Sequence, residues 1–325
     1  MDDLLHTLRK MALIGPGESP AVKALTGGVS SEIFRVDALR GSFCVKRALA
    51  KLRVSADWSA PVERNQYEVA WLTVAGGIAP ASVPRVLAEN AEDGAFAMDY
   101  LPPENYPVWK ALLRDGRIQP ATAGELGRLI ARIHAATAGD ANIAARFATD
   151  AIFHSLRLEP YLLATAAAHP DCATALRALS DRTAQTRLAL VHGDVSPKNI
   201  LVGRDGPVLL DAECAWYGDP AFDLAFCLTH LLLKPLWQPQ WRDAYLQCFD
   251  ALASSYLGEV SWEGAQSLEQ RAAQLLPGIL LARIDGKSPV EYLHAQADKA
   301  FVRERAKPLL LRPPARLAEV LAAWT

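Results

Sequence analysis

The sequence predicts an α+β fold in two unequal lobes, a small β-rich N-terminal lobe and a larger, mainly helical C-terminal lobe. With 325 residues, 51% hydrophobic and 22% charged, the chain is close to the average of globular proteins, which excludes disordered and low-complexity classes. Short β-type runs and turns fill the first hundred residues, and helical periodicity follows Leu101-Pro102-Pro103. We therefore expect lobes over residues 1–102 and 103–325, joined by a proline-containing hinge and separated by a ligand-binding cleft.

The N-terminal lobe is predicted to contain two pairs of strands around one helix. Glycine at position 41 marks a tight turn between two runs rich in Ile, Phe and Val, which is a hairpin signal. Pro61 suits the first turn of a helix, and Gly76-Gly77 suits its end. The expected order is a small-residue turn over 26–31, strands at 32–36 and 42–46, a helix at 63–74, and strands at 83–89 and 95–100.

The C-terminal lobe is predicted to be helical around a small β patch. Leu126, Leu129, Ile130 and Ile133 recur at the spacing of one helix face within residues 124–136. Further helix-like segments cover 171–187, 220–233, 240–257, 263–284 and 288–302, and the patch comprises 188–191, 200–202 and 208–210.

Charge and cysteine usage restrict the partners and the compartment. Lys and Arg total 34 against 36 for Asp and Glu, so the chain lacks the basic field that attracts nucleic acids or anionic membranes. Five widely spaced cysteines without a C-x-x-C pair indicate reduced thiols. The N-terminus lacks the pattern of a signal peptide, and the apolar run 224–233 is too short to span a bilayer. We expect a cytoplasmic protein with no membrane or nucleic-acid partner; oligomeric state is not encoded in these features.

The most specific chemical signal is an Asp followed five residues later by an Asn, then by an Asp at a strand end. These residues are Asp194 and Asn199, on a loop between two predicted strands, and Asp211, which ends the third strand. Two oxygen ligands on neighbouring strand ends, completed by substrate phosphates, are a usual way to hold Mg²⁺. Asn199 and Asp211 are thus candidate metal ligands, and Asp194 remains free to orient and deprotonate a hydroxyl.

This pattern resembles a known superfamily. H-x-D-x-x-x-x-N followed by a strand-end Asp is similar to the catalytic and metal-binding segments of protein-kinase-like enzymes. The finer pattern, His192-Gly193-Asp194 with Gly218-Asp219-Pro220-x-x-Asp223-Leu224-Ala225, resembles the aminoglycoside phosphotransferase and choline kinase family of small-molecule kinases. The order of elements from about residue 24 to residue 300 agrees with that family, whose fold is protein-kinase-like.

The resemblance implies ATP and Mg²⁺ as cofactors and a role for each matching residue. Asp194 would be the catalytic base, and Asn199 and Asp211 would bind Mg²⁺. Lys46 would contact the α- and β-phosphates and be held by Glu68, with Glu63 as the rival partner. Gly27, Gly28, Ser30 and Ser31 match the phosphate-covering loop, and Asp99, Tyr100 and Leu101 match the adenine-binding hinge.

Other polar residues receive supporting or substrate-binding roles. Asp223 stands where the family uses a carboxylate to brace the catalytic loop, Asp219 suits a helix N-terminus, and His192 is expected to pack and hydrogen-bond rather than carry protons. The candidates for the substrate pocket are Glu213, Trp216, Tyr217, Arg283 and Asp285.

The sequence departs from the family pattern in ways that bear on the substrate. Ser196 stands two positions after the base, where related kinases often carry Lys or His, and Lys198 follows it. Only seven residues separate Asp211 from Asp219, too few for the activation segment of a protein kinase. The segment 211–218 is similar to that of methylthioribose and choline kinases and favours a sugar-like or amino-alcohol hydroxyl as the acceptor. Residues 106–325 hold 23 basic and 23 acidic residues, which disfavours a polycationic aminoglycoside.

Two alternatives remain open at this point. One is an aminoglycoside phosphotransferase that confers antibiotic resistance. The other is a nucleotide-binding pseudokinase without activity, against which the retention of Lys46, Asp194, Asn199 and Asp211 argues.

Overall fold

The structure of the chain is a computed structural model that describes residues 2–25, 31–49 and 61–324. Its N-terminal region is an antiparallel sheet flanked by two helices. In chain order the elements are α1 (Asp2–Lys10), β1 (Ala21–Leu25), β2 (Ser31–Ala38), β3 (Gly41–Ala48), α2 (Arg64–Ile78), β4 (Val86–Asn90) and β5 (Ala95–Asp99).

The five strands lie in the order β1-β2-β3-β5-β4, and every pair is antiparallel. Gly41 adopts a φ of +113°, a conformation that glycine reaches without steric cost, in the turn between β2 and β3. Both predicted hairpins are present, but the N-terminal region also contains α1 and β1, which the sequence analysis missed. Leu4, Leu8 and Met11 of this added segment pack on Val36, Phe43 and Val45 of the sheet.

The helix expected to stop at Gly76-Gly77 instead runs through this pair to Ile78. Trp71, Leu72 and Ala75 bury its face in the main core, and this packing outweighs the low helix propensity of glycine. The helix ends immediately before Ala79 and Pro80, since proline disfavours a helical residue before it.

The C-terminal region is mainly helical. Its α-helices are α3 (Trp109–Arg114), α4 (Pro120–Thr137), α5 (Ala141–Arg146), α6 (Asp150–Phe153), α7 (Ala164–Ala168), α8 (Ala173–Gln185), α9 (Ala221–Trp237), α10 (Arg242–Gly258), α11 (Ala265–Asp285), α12 (Gln296–Leu311) and α13 (Leu317–Trp324). A π-helix covers His154–Leu163, and the strands are β6 (Ala189–Val191), β7 (Ile200–Gly203), β8 (Gly206–Leu209) and β9 (Trp216–Gly218).

Two expectations for this region were wrong. The single β patch is two separate ribbons, β6 with β9 and β7 with β8. The helix expected over 288–302 begins only at Gln296, because the N–H groups of Lys287 and Val290 donate to the carbonyls of Pro160 and Arg283 and hold this segment in a non-helical path. Within the described residues, no helix is both long enough and apolar enough to cross a membrane.

The largest core lies in the C-terminal region around α9, which is buried from Ala221 to Pro235. Helices α4, α10 and α11 pack around it. The two ribbons lie at the edge of this helical body that faces the N-terminal sheet, so their loops reach the cleft between the two regions.

Candidate active site

A cleft of about 360 Å³ separates the N-terminal sheet from the β7–β8 ribbon. Its lining is largely apolar on the walls, including Ile33, Met98 and Leu201, with charged groups at one end. Most of the nucleotide-binding and metal-binding candidates line it, namely Ser31, Lys46, Glu68, Asp99, Tyr100, Leu101, Asn199 and Asp211. Gly27, Gly28 and Ser30, the other candidates for the phosphate-covering loop, lie outside the described residues.

Lys46 joins the sheet to the C-terminal region. It lies on β3 with 2% of its side chain exposed, and its Nζ is 2.6 Å from Glu68 Oε2 of α2 while also contacting Asp211 Oδ1. Burial by itself would lower the pKa of Lys46, but the carboxylates of Asp211 and Glu68 outweigh it and raise that pKa. The lysine is therefore a fixed cation at the charged end of the cleft. Glu68 is its partner on α2, whereas Glu63 is exposed just before that helix.

Asn199 and Asp211 lie side by side at the base of the β7–β8 ribbon. Ile200 pairs with Leu209 in the ribbon. The Leu210 N–H donates to the Asn199 carbonyl at 2.9 Å, which extends the hydrogen-bonding pattern of the ribbon by one more pair toward the cleft. Asn199 Nδ2 donates to the Asp194 carbonyl at 3.1 Å, so its Oδ1 is left as an acceptor. Asp211 has a left-handed φ of +68°, a conformation uncommon outside glycine and found most at functional sites.

These two side chains fit a hard divalent cation by their chemistry. Asn199 offers an amide oxygen and Asp211 a carboxylate, at neighbouring ends of the two ribbon strands. The cleft beside them can admit phosphates that would complete the coordination. Burial would raise the pKa of Asp211, but Lys46 and Lys198 outweigh it and lower that pKa, so the carboxylate stays ionised.

Asp223 holds the loop that carries Asp194. Its carboxylate accepts the backbone N–H groups of His192 at 2.7 Å and Gly193 at 2.8 Å, and its Oδ2 lies 3.2 Å from His134 Nε2. His134 Nδ1 in turn lies 2.8 Å from the Tyr256 hydroxyl, and every member of this network is buried. The network fixes the loop backbone before the candidate base.

His192 also supports the loop from within. Its Nδ1 accepts the Asp194 N–H at 3.1 Å, so Nε2 carries the proton and donates to the Leu210 carbonyl at 3.0 Å. Burial lowers the pKa of His192, which agrees with a neutral ring held in one tautomer. Asp219 acts at a different place, because its carboxylate accepts the Ala221 N–H at the start of α9 and pairs with Arg271.

Asp194 is 5% exposed and lies between two cations. Its Oδ2 is 3.0 Å from Arg157 Nη2 and 3.3 Å from Lys198 Nζ. Burial would raise the pKa of Asp194, but Lys198 and Arg157 outweigh it and hold that pKa below its ordinary range. The carboxylate is therefore ionised at neutral pH and able to accept a proton or a hydrogen bond. Ser196 lies between Asp194 and Lys198 in the sequence. It is buried, and within the part of the chain that the structure describes its Oγ has no hydrogen-bond partner.

Sequence reasoning missed Arg157. Its guanidinium donates from Nε to the Gly193 carbonyl while Nη2 pairs with Asp194, so it positions two successive residues of the loop. Arg157 lies on the π-helix. Turns of π-helix are rare in proteins and occur frequently at functional sites. An arginine followed by leucine and acid carries no motif, and only the tertiary packing brings it to Asp194.

Four of the five substrate-pocket candidates are engaged elsewhere, which corrects that expectation. Trp216 stacks on Phe153 at 4.3 Å and donates to Asp150, and the Tyr217 hydroxyl bonds to Leu188 and Gly139. Glu213 is ion-paired with Arg64 at 3.0 Å, and Asp285 is bound by His169 and Arg303. Both faces of the short strand β9 are buried, so consecutive aromatic residues there fill the core. Arg283 packs against Tyr161 and helps to lower the pKa of Asp194, after Lys198, Arg157 and His192.

An antiparallel N-terminal sheet, a helical C-terminal region and the cleft beside the β7–β8 ribbon define the class of proteins with a protein-kinase-like fold. The profile of the phosphotransferase enzyme family, APH, matches residues 21–257, and the chain belongs to this family. The family resemblance inferred from the motifs is thus confirmed.

Among curated proteins, the chain is similar to a methylthioribose kinase from Yersinia enterocolitica, at 27% identity over 216 residues, covering 58% of this chain and 54% of that protein. It is also similar to methylthioribose kinase 1 of Oryza sativa subsp. japonica, at 24% identity over 250 residues, covering 67% and 57%. The chain thus spans about half the length of the curated relatives it matches.

Among solved structures, an amicoumacin kinase in complex with AMP-PNP and Ca²⁺ matches with a TM-score of 0.59 at 15% identity, covering 96% of this chain and 94% of that one. An ethanolamine kinase from Plasmodium vivax matches with a TM-score of 0.56 at 10% identity, covering 99% and 86%. At these identities the likeness shows the fold, and the predicted α+β kinase-like class is confirmed.

Proposed function

We propose that this chain is an ATP- and Mg²⁺-dependent kinase that transfers a phosphoryl group to a hydroxyl of a small, sugar-like molecule. The observation that carries the proposal is the convergence of Lys46, Asn199 and Asp211 at one end of the cleft, with Asp194 beside them. The Asp194 carbonyl accepts from Asn199, and its carboxylate is ion-paired with Lys198 of the cleft lining. Phosphoryl transfer needs positioning and charge neutralisation more than covalent chemistry, and these groups supply a cation, metal ligands and a base. Residue 102 is the proposed boundary between nucleotide-binding and acceptor-binding lobes.

In this proposal each side chain has one task. Asp194 orients the acceptor hydroxyl and takes its proton as the oxygen bonds to the γ-phosphorus and the bond to the β-phosphate oxygen breaks, which releases ADP. Lys46, held by Glu68, binds phosphate oxygens. Asn199 and Asp211 would hold Mg²⁺, which when bound neutralises phosphate charge. Asp99 to Leu101 would bind the base along the β5 end of the cleft, and Ser31 would lie near the phosphates.

The sugar-like acceptor is supported by the curated relatives, which are named methylthioribose kinases. The equal numbers of acidic and basic residues in the C-terminal region give no preference for a polycation such as an aminoglycoside. The ionised carboxylates of Asp194 and Asp211 argue against a pseudokinase, since the proposed chemistry needs both in that form. Asp211 lines the cleft, and Asp194 contacts Lys198, which also lines it.

The proposal is tested by measuring ADP release from the full chain, ATP and MgCl₂ against a library of hydroxyl-bearing metabolites. We expect turnover with at least one acceptor, and a loss of about 10²–10⁴-fold in kcat in Asp194→Asn with nucleotide binding retained. Asp205→Ala, on the exposed turn of the β7–β8 ribbon, is the matched control and should keep full activity. Nucleotide binding without any phosphorylated product would favour the pseudokinase, and wild-type rates in Asp194→Asn would overturn the proposed base.

A further inference from the structure

A line of side chains on α9 leads away from the catalytic loop to a pair of buried cations. Phe222, Phe226, His230 and Lys234 recur every four residues and therefore share one face of the helix. The guanidinium carbon of Arg157 lies 5.6 Å from the ring centroid of Phe226. Arg157 is in turn ion-paired with Asp194. Phe226 and Lys234 are eight residues apart, about 12 Å along the helix axis. The charge of Asp194 acts on His230, one turn before Lys234, so the line of side chains runs from the surroundings of the base to Lys234.

Arg283 of α11 joins this line from the opposite side. Its side chain lies over Tyr161, with the guanidinium carbon 5.7 Å from the ring centroid, and Tyr161 packs on Phe226. We call His230, Lys234 and Arg283 the cationic pocket.

Among the described residues, neither Lys234 nor Arg283 of this pocket is paired with a carboxylate. Lys234 is 1% exposed, and its ammonium makes no hydrogen bond or ion pair there. Arg283 is 8% exposed and donates from Nη1 to the hydroxyl of Tyr161 and to Ser288. In the same part of the chain, the buried Nε of Arg283 and the buried hydroxyl of Tyr292, whose ring lies by Lys234, have no hydrogen-bond partner.

The acids nearest the pocket are already neutralised. Asp194 is paired with Arg157 and Lys198, Glu291 with Lys110, and Asp285 with His169 and Arg303. Burial lowers the pKa of Lys234 to about 8, and the positive charge of Lys110 acts in the same direction. Burial also lowers the pKa of His230, with a further contribution from the charges of Arg283 and Lys234. Buried cations without counter-charges are costly, and a bound anion would remove that cost.

The same geometry excludes an ammonium group from this place. Trp237 and Tyr292 lie with their ring centroids 4.9 Å apart, an aromatic pair of the kind that binds organic cations. Lys234 Nζ occupies it, at 5.2 Å from one ring centroid and 4.9 Å from the other. An amino-alcohol or aminoglycoside bound here would meet the resident ammonium of Lys234 instead of an open aromatic pair.

We propose that the cationic pocket binds an anionic group of the acceptor, a carboxylate or a phosphate ester, and so selects a hydroxy acid or sugar acid over neutral and cationic alcohols. This inference rests on the proposed function in naming the acceptor of that site. Lys234 and Arg283 would bind the anion directly, with the Arg283 Nε and the Tyr292 hydroxyl as further donors.

The test uses sets of probes that share a carbon skeleton and differ in charge. One set is glycerate, glycerol 3-phosphate, glycerol and 3-aminopropane-1,2-diol; the other is gluconate, glucose 6-phosphate, glucose and glucosamine. The melting temperature of the full chain with AMP-PNP and MgCl₂, and the rate of ADP release with ATP, are measured at constant ionic strength. We expect an anionic member to give the largest rise in melting temperature and at least a tenfold preference in kcat/KM over its neutral partner. Comparing the carboxylate probes with the phosphate-ester probes shows which of the two anionic groups the pocket binds.

The variants Lys234→Met and Arg283→Met should reduce that preference to near one, while Lys287→Met, which removes an exposed cation paired with Glu159, should preserve it. The melting temperature without acceptor should change little in Lys234→Met, because among the described residues the ammonium has no carboxylate partner and the apolar Met side chain can keep the contact with Trp237 and Tyr292. If Arg283 served the transferring phosphoryl group instead, Arg283→Met would slow all acceptors equally, and the inference would be wrong for that residue.

A preference for the neutral or ammonium member, an anion preference that survives both variants, or no stabilisation by any anionic member would overturn the inference and leave the kinase proposal intact. Anion binding without ADP release in any assay would instead overturn the kinase proposal and leave the pocket standing, because the melting measurement requires no phosphoryl transfer.

Discussion

The ammonium of Lys46 is ion-paired with the carboxylate of Asp211, a residue 165 positions away, and thereby ties the N-terminal sheet to the catalytic ribbon. The same ammonium is 2.6 Å from Glu68, so one cation serves two buried or half-buried carboxylates. A nucleotide phosphate or a metal at Asp211 would compete for these contacts. The charged end of the cleft is thus held in place by the residues that we propose to use in catalysis.

Lys46→Met should destabilise the fold as well as impair nucleotide binding. Removing one partner of a buried ion pair leaves uncompensated charge and costs about 3–5 kcal/mol. Burial then raises the folded pKa of Glu68 and Asp211 without opposition, and groups with a raised folded pKa lose stability as pH rises. Urea unfolding should show a deficit relative to wild type that grows from pH 5 to pH 8.

The double variant Lys46→Met/Glu68→Gln provides the control for that result. Because the Gln carries no charge, it should recover part of the stability at pH 8 and little at pH 5. A deficit that does not change with pH would mean that lost packing, and not the exposed carboxylate charge, causes the destabilisation.

Lys198 should set the acid limb of the pH–rate profile. It is the strongest of the cations that lower the pKa of Asp194 against the effect of burial. In wild type the base stays ionised through the usual assay range, so the loss of kcat/KM on the acid side should begin only at very low pH. In Lys198→Met the pKa of Asp194 rises, and the acid limb should move to higher pH.

The readout for Lys198→Met is kcat/KM between pH 4.5 and pH 8.5, with Arg204→Met on the exposed turn of the same ribbon as the matched loss of a cation. A uniform fall in rate without movement of the limb would assign Lys198 to the transferring phosphoryl group rather than to the base.

The site residues that the sequence predicted differ from those that it missed in how far apart along the chain the contacting residues lie. Asp194 and Asn199 lie on the loop that enters the β7–β8 ribbon, and Asp211 follows the strand that leaves it, so a short hairpin brings the three together. Lys46 and Glu68 were assigned through the family resemblance, which implies a strand lysine held by a glutamate of the next helix, and the sequence left Glu63 as a rival.

Arg157 and Arg283 come near Asp194 through the packing of the π-helix and α11 around Tyr161 and Phe226. No periodicity in the sequence distinguishes a buried cation from an exposed one. Trp216 and Tyr217 were misassigned for the converse reason, because proximity to Asp211 in sequence does not bring their side chains to the cleft on a strand buried on both faces.

Arg157 should act as a positioning residue for Asp194. Arg157→Met breaks a buried ion pair and should cost about 3–5 kcal/mol, with a fall in kcat as the loop loses its contact to the Gly193 carbonyl. Arg157→Lys keeps the charge but cannot bridge both groups, so it should retain more stability than activity. Equal recovery of stability and kcat in Arg157→Lys would show that charge alone is sufficient. The measurements are urea unfolding and the kcat-to-KM split for one acceptor.

Gly193 should tolerate no side chain, and the reason lies in contact as well as in backbone conformation. It has a φ of +76°, and an added Cβ would lie 2.5 Å from the Cys214 carbonyl oxygen, so the loop that carries Asp194 must move. A misplacement of about 1 Å at a reacting group costs about 10²-fold in rate, and we expect Gly193→Ala to lose kcat on that scale. Gly139→Ala is the matched control, because Gly139 has a φ of +72° with nothing within 4 Å of an added Cβ, and it should show only the backbone strain of about 1–2 kcal/mol. If both variants lost stability equally and kept their kcat, the close approach to Cys214 would be irrelevant to the position of Asp194.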